Sequence, residues 1–352
     1  MATPTANKPQ QQKITVASIA EQTGFGRSTV GHVLSGRGQE LGIRPETIDL
    51  ILKAARENGY VANPLARGLR GQRTNAIGVL WTLDGFANGE STLRPLTEAI
   101  ARQGCVTYLF DHGAMERGPL EILKNLQLRG ADGVVILLNV PSVLDIPGMR
   151  DLIRSFPLRV LVTPEPIDFD ADIVVYDRKA AQRAATEALL QAGRRRLLYV
   201  TNHLPPNLYK FHTIQETVAA FGHGAAADAI DLQRTRLRGL VDCFDADPRC
   251  AEADAMLFSS DDYAAAGMRW LHCRGRRCPQ DVAVVGFNNS EYACVLTPPL
   301  ATVDRVDIEL VEQIDQLIRN RRSNPDSDCQ HRLVAMRYVP RESAGTVQEK
   351  TP

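Results

Sequence analysis

Arg27, Ser28, Thr29 and His32 fall within one short stretch, and on a helix His32 stands one turn beyond the first three on the same face. Their shared chemistry is hydrogen bonding to flat edges rich in acceptors. An arginine fork can engage two acceptors of a guanine at once, and Ser or Thr can bond to a base or a phosphate. Such side chains work only if a rigid element presents them together.

The flanking residues supply that element. Thr15 suits a helix N-cap, and Val16, Ile19 and Ala20 follow as an apolar stripe. Thr23-Gly24-Phe25-Gly26 breaks the pattern as a tight turn. A second helix is expected over Arg27–Leu34, with Val30, Val33 and Leu34 inward. A third is expected from about Pro45 to Asn58, with Ile48, Ile51, Leu52 and Ala55 as its stripe and Gly59 at its end. Three short helices with a glycine turn make a helix-turn-helix, whose second helix enters the major groove of DNA. On these residues alone, an unspecialised three-helix domain stays open.

Charge favours the first reading. Formal net charge is zero over 352 residues, yet residues 1–75 hold ten Lys/Arg against five Asp/Glu. A basic module on a balanced chain points to a polyanionic partner. Residues Asn63 to Arg73 are basic too, with Leu65 and Leu69 four apart. Gly68 weakens any helix there, so the segment is expected to be a linker, helical only when supported. The first dozen residues are polar and lack the apolar run of a secretory signal. No stretch reaches the length of a membrane span. Seven scattered cysteines fit no disulfide framework, and a reducing cytoplasm is expected.

From Ala76 strands and helices alternate. Strands are expected at Ala76–Trp81, Val106–Phe110, Gly133–Leu138, Arg159–Val162, Ile173–Val175, Arg196–Thr201, Ala255–Phe258 and Val282–Phe287. Helices are expected between them, one of them Phe211–Phe221, and a last one over Val306–Arg319. Such alternation implies parallel sheets covered by helices, and the length implies two α/β subdomains. A ligand would bind beyond the carboxyl ends of the strands, near residues that follow Trp81, Phe258 and Phe287.

With those elements in place, the chain resembles the lactose/galactose-repressor (LacI/GalR) family of bacterial transcription regulators over about residues 14–343. The resemblance is carried by ITVASIAEQTGFGRSTVGHVLSG (14–36), AARENGYVANPLARGLRGQRTNAIGV (54–79), LFSSDDYAAAG (257–267) and CPQDVAVVGFNNSEYACVLTPPLATV (278–303). It implies an all-α helix-turn-helix domain followed by an α/β core of two doubly wound parallel-sheet subdomains, like a periplasmic binding protein. It also implies a homodimer on a roughly palindromic DNA operator. Leu69 would wedge into the minor groove with Ala66 beside it, and Thr15, Tyr60 and Asn63 would contact phosphates. A small effector, a sugar or sugar derivative, would sit between the subdomains. Trp81, Asp84, Lys210, Asp262 and Asn288 are the residues expected to meet it. No cofactor or metal is expected.

The organisation expected is a tail (1–12), a helix-turn-helix domain (13–61), a hinge (62–75), a core (76–343) and a second tail (344–352). Within the core, subdomain N would take about 76–176 and 303–325, and subdomain C about 177–302 and 326–343.

This chain departs from the family pattern at several points. Gly26 stands where Ser usually caps the recognition helix, and Gly31 and His32 where Ser and Arg are common. His32 is ordinarily neutral at pH 7, so altered operator preference, or tighter binding at lower pH, is expected. Gly38–Ile43 is slightly longer than the usual turn, with no reason visible in the residues. Lys210 replaces an Arg that commonly holds ligand oxygens. Asp261-Asp262 stand at an Asn-Asp pair, and Asn288-Asn289 at an Asp-Asp pair. Lys210 and the acids can be ligand contacts or a solvated rim; Trp81 can stack on a sugar ring or simply wall the core.

Other constellations are weaker. His272, Cys273 and Cys278 lack a fourth zinc ligand and are crowded by arginines. Gly222-His223-Gly224 follows a helix rather than a strand, so it is no dinucleotide fingerprint, and neither a nucleophile elbow nor a P-loop occurs. An enzyme is therefore the weakest reading. A sugar-binding protein without DNA activity is the main alternative, and the basic N-terminal segment opposes it.

Overall fold

The computed structural model describes residues 14–60, 73–81, 90–111, 118–138, 141–201, 204–232 and 239–345. Asn63, Ala66, Leu69 and Asp84 lie outside them. The chain divides into two units, residues 1–75 and 76–352.

The first unit holds α1 (Val16–Thr23), α2 (Arg27–Leu34) and α3 (Pro45–Glu57). Thr15 caps α1 in a capping box: the Ser18 N–H donates to its hydroxyl at 3.2 Å, and the Thr15 N–H donates to the Ser18 hydroxyl at 2.8 Å. Gly24 ends α1 at φ 73°, the left-handed conformation glycine adopts without strain. Ile19, Val30, Val33 and Ile51 are buried together, closed by Ala20 and Ala54. Leu52, expected in the stripe of α3, is instead exposed; the helix turns the smaller Ala54 and Ala55 inward. The turn before α3 closes through Ile43 N–H to Gly38 O at 2.9 Å. Gly38 is buried, and a Cβ there would stand 2.9 Å from Ile48 Cδ1, so the extra residues pack onto the start of α3.

The second unit contains two six-stranded sheets. The first has the order β11-β5-β4-β3-β1-β2, all parallel, from β1 (Ala76–Trp81), β2 (Val106–Asp111), β3 (Gly133–Leu137), β4 (Leu158–Thr163), β5 (Asp172–Asp177) and β11 (His331–Ala335). The second has the order β12-β10-β9-β8-β6-β7, from β6 (Arg196–Thr201), β7 (Ala226–Asp231), β8 (Ala255–Phe258), β9 (Ala283–Asn288), β10 (Ala301–Asp304) and β12 (Arg337–Val339). Only β12 runs antiparallel to its neighbour. β1 and β3 are wholly buried, as strands covered by helices on both faces must be.

The helices that bear on the cleft are α4 (Glu90–Arg102), α7 (Lys179–Gln191), α8 (Leu204–Phe221), α11 (Asp261–Cys273) and α12 (Asp307–Ser323); α5 (Pro119–Leu128), α6 (Met149–Arg154), α9 (Leu240–Ala246) and α10 (Pro248–Glu252) cover the sheets elsewhere. α8 begins seven residues before the expected Phe211, because Pro205 and Pro206 fall in its first turn, where a missing N–H costs nothing.

Two expected boundaries are corrected. The return to the second subdomain, expected at about residue 326, comes only after β11, which pairs with β5 in the first sheet. The core also runs past 343. Ser343 and Ala344 are fully buried, and the Ser343 hydroxyl donates to Val284 O at 2.6 Å while accepting from the Ala301 N–H at 2.8 Å.

An ion pair holds the long excursion through α12. Arg321 meets both carboxylate oxygens of Asp172, at 3.0 and 3.1 Å, and its Nη1 donates to Pro325 O and Ser327 O. The side chains are only 10% and 3% exposed. Removing one partner of such a pair strands a buried charge and costs about 3–5 kcal/mol. Arg321→Met is therefore expected to lower the unfolding free energy of the core by about that amount in urea denaturation. A loss near zero would show that the pair does not anchor the return.

Candidate functional site

Two sites emerge, one in each unit. In the first, α2 presents Arg27 and Ser28 exposed, with Thr29 and His32 half-buried. Gly26 offers no side chain to the opening amides of α2, which suits them to an anion's oxygen. Arg37 Nη2 lies 3.4 Å from His32 Nδ1. That contact uses the lone pair of the neutral ring and leaves Nε2–H as the outward donor. Thr15 is exposed at the start of α1 with its hydroxyl engaged in the cap. Tyr60 is half-buried, packed against the three-helix core.

The second site is a cavity between the two sheets with about 90 Å³ of room. One water needs roughly 10–15 Å³ on the same measure, so several water-sized groups fit. The strands place its lining. Trp81 and Leu137 end β1 and β3, Val162 and Tyr176 lie at the last turns of β4 and β5, Ser259 follows β8, and Phe287 and Asn288 end β9. α8 adds Asn207 and Lys210.

Three cations reach this cavity. Arg178, 4% exposed, lies with its Cζ 3.8 Å from the Tyr209 ring centre and 4.8 Å from that of Tyr176. Lys210, 5% exposed, stands 3.6 Å over the Phe287 ring and donates to Ser259 O at 3.3 Å. Arg305 donates to Asp307 at 2.9 Å and to Thr92, and its Cζ lies 5.9 Å from the Trp81 ring centre. The Trp81 side chain is fully buried, and its Nε1–H has no acceptor among the described residues.

Trp81, Lys210 and Asn288 are thus brought together, but Asp262 is not. The lining takes Ser260 and Tyr263 from the start of α11. Residue 262 stands about 200° around the helix from 260 and faces elsewhere; it accepts from the Tyr292 hydroxyl. Asn288 has φ 111° and Asn289 φ 54°, conformations asparagine tolerates better than most residues. Asn289 is structural, accepting from Arg341 Nη2 at 2.7 Å. Arg178 and Tyr176 were not singled out from sequence. The signal was available: they close a strand at the same sheet edge as Trp81.

Behind the lining, Asp261 is fully buried and accepts from Thr302 Oγ1 and from the Ser290 N–H, both at 2.6 Å. Burial raises its pKa from 3.8 to about 6, against the pull of those donors. Gly286 is required here, since a Cβ would fall 2.1 Å from Asp261 Oδ1.

A three-helix unit presenting arginine and hydroxyl donors, on one chain with a two-sheet binding core, is the architecture of a ligand-controlled transcription regulator. The relatives agree. Residues 186–344 match the periplasmic binding protein-like domain. The chain is 26% identical to the HTH-type transcriptional regulator CelR of Thermobifida fusca, covering 95% of this chain and 99% of that one. It is 25% identical to the HTH-type transcriptional regulator AscG of Escherichia coli strain K12, covering 85% and 89%. A LacI-family regulator from Silicibacter pomeroyi superimposes with TM-score 0.79 at 21% identity, covering 94% of this chain and 99% of that one. The lac repressor dimer bound to operator superimposes with TM-score 0.75 at 18% identity, covering 95% and 99%. The chain is thus similar, over most of its length, to transcription regulators of the lactose/galactose-repressor family.

Asp261 makes a pH test. Its folded pKa lies above the unfolded value, so its stabilising contribution is complete below about pH 3.8 and is lost as pH rises through about 6. Above that, the buried charge costs on the order of 3 kcal/mol relative to the protonated state. Asp261→Asn should gain stability relative to wild type by about that amount between pH 4 and 7. A wild-type-to-variant difference that stays constant with pH would refute the assignment.

Proposed function

We propose that the protein is a sequence-specific DNA-binding transcriptional repressor whose affinity for its operator is set by a small molecule held in the core cavity. The observation that carries this reading is the first turn of α2, which exposes Arg27 and Ser28 while the same helix buries Val30 and Val33. A helix so anchored can lie in the major groove and lead with those donors. Arg27, Ser28, Thr29 and His32 read bases; Thr15, Tyr60 and Asn63 hold phosphates; Leu69 and Ala66 enter the minor groove. Wedging a base step costs a few kcal/mol, offset by contacts to the bent duplex.

The protein acts as a homodimer on a roughly palindromic site, and the effector is a sugar or sugar derivative. Two similar structures support that chemistry: the regulator CelR in complex with cellobiose and a LacI-family regulator from Enterococcus faecium with bound ribose. The protein works in the cytoplasm without an enzymatic activity. Among the described residues, no helix is long and apolar enough to cross a membrane, and none of the seven cysteines is in a disulfide.

Selection of bound sites from random DNA, followed by titration, tests the reading. Affinity should fall with salt by about 0.9 log units per log unit for each phosphate neutralised. Arg27→Ala should cost about 1–3 kcal/mol and relax the preference at one base position. Specific binding by residues 76–352 alone, or affinity indifferent to salt, would overturn it.

A further inference from the structure

We propose that Arg37 determines which base His32 reads, by fixing the imidazole as a hydrogen-bond donor so that it selects a guanine in the operator. The inference rests on the reading of α2 as the recognition helix. It starts from how that helix ends. Gly36 stands just past the Ser35 cap at φ 84°. Its N–H donates to Val33 O at 3.0 Å, and the Arg37 N–H donates to His32 O at 3.0 Å. Those two nested bonds are a Schellman motif, which ties the residue two past the cap to the residue three before it. An apolar contact frequently accompanies the motif. Here the two residues are Arg37 and His32, and their contact is polar: Arg37 Nη2 lies 3.4 Å from His32 Nδ1.

The long turn before α3 holds Arg37 from its other side. The Leu41 N–H donates to Arg37 O at 3.2 Å, and the Ile43 N–H to Gly38 O at 2.9 Å. Gly38 is buried, and a Cβ there would stand 3.3 Å from Val33 Cγ2 and 2.9 Å from Ile48 Cδ1. The turn is thereby seated on α2 and α3. Arg37 is exposed beside the reading face, with its own N–H and C=O both engaged. The extra residues between Gly38 and Ile43 thus serve to seat Arg37.

A guanidinium has only donors, so the His32 Nδ1 it meets is the acceptor, and the ring proton sits on Nε2. His32 follows Ser28 by four residues and Thr29 by three, so it shares their face of α2. At this point that face offers donors alone. In the major groove guanine shows two acceptors, N7 and O6. Adenine and cytosine each show an amino donor, and thymine sets a methyl beside its one acceptor. Guanine is the base that suits a donor-only pair. Without Arg37 the ring can carry its proton on either nitrogen, and a bare Nε2 accepts from adenine or cytosine instead. Arg37 is therefore a positioning residue, acting on base choice through His32.

Selection from random DNA with the full-length protein locates the contact: the position His32 reads is the one whose preference His32→Ala abolishes. There the wild type should favour guanine over adenine by about 5- to 100-fold, the worth of a good base contact. Arg37→Ala should remove most of that preference at the same position. Arg37→Lys should keep most of it, because an ammonium also donates to Nδ1. The double variant should show the loss of one single variant and not the sum, since both remove one unit. Thermal melts of each variant show that the fold persists. In DNA-free protein at about pH 8, where imidazoles are ordinarily neutral, ring-nitrogen NMR reads the tautomer directly. The His32 signals, identified by their loss in His32→Gln, should show a bare Nδ1 and a protonated Nε2, and Arg37→Ala should admit the second tautomer.

A loss of affinity in Arg37→Ala spread evenly over all sequences would make Arg37 a phosphate contact and overturn the proposal. So would losses from His32→Ala and Arg37→Ala that add, a preference for any base other than guanine at the His32 position, or a protonated Nδ1 in the free wild type. Failure of the recognition-helix reading looks different. In that case neither His32→Ala nor Arg27→Ala changes the preference at any position, and the assignment of base choice falls with it, whatever the ring spectra show.

Discussion

Parallel strands impose one constraint from which most of this core follows. Each strand must be followed by a crossover before the next can run alongside it, so every loop after a carboxyl end falls on the same edge of the sheet. In both sheets those edges line one cavity. Trp81, Leu137, Val162 and Tyr176 come from the first sheet, and Ser259, Phe287 and Asn288 from the second. No two of the four from the first sheet share a strand. The topology, more than any local motif, assembles the site.

Polar side chains gathered at that depth cost free energy unless they are hydrogen-bonded, and the chain satisfies several of them in layers, the Trp81 Nε1–H being an exception among the described residues. Asp261 takes two short hydrogen bonds from Thr302 and Ser290 while its neighbour Ser260 caps α11 and faces the cavity. Asp307 gathers Ser91, Thr92 and Arg305, fixing the start of α12 to α4. Asp307 thereby positions two residues that line the cavity, Thr92 and Arg305, while Asp261 holds Thr302 and Ser290, which do not line it.

How far such a site can be read from residues alone depends on how many neighbours an element has. Central strands are legible: β1, buried on both faces, spans the residues its apolar run predicts. Three of the four edge strands, β7, β11 and β12, are not, whereas β2 is. β7 and β11 have one hydrogen-bonded neighbour each and stay largely exposed, so their sequences, Ala226–Asp231 and His331–Ala335, carry no continuous apolar signal. Missing β11 displaced the boundary between subdomains. In the cavity, Trp81, Lys210 and Asn288 were legible because they follow strands or match a pattern of the family. Arg178 follows β5 and escaped notice, because an Arg before a helix reads as solvated surface until the second sheet is seen to cover it. The three helices of the first unit were legible almost to the residue, since caps and glycine turns are local signals.

The chain passes between the two sheets three times: after β5, after β10 and after β11. The residues at those passages are Arg178, Arg305 and Met336, and all three line the cavity. At the second passage, Val306 is held at φ 51°, a left-handed conformation that costs a β-branched residue about 1–3 kcal/mol. The Asp304 carboxylate accepts from its N–H at 2.9 Å and keeps it there. Whatever occupies the cavity therefore touches the connections on which the two sheets would rotate, not merely the walls between them. A ligand shifts a conformational equilibrium only by the difference in its affinity for the two states. Contact with all three connections makes that difference hard to avoid, because any change in the angle between the sheets alters the contacts of Arg178, Arg305 and Met336 at once. The same geometry that forms the binding site thus couples its occupancy to the arrangement of the core.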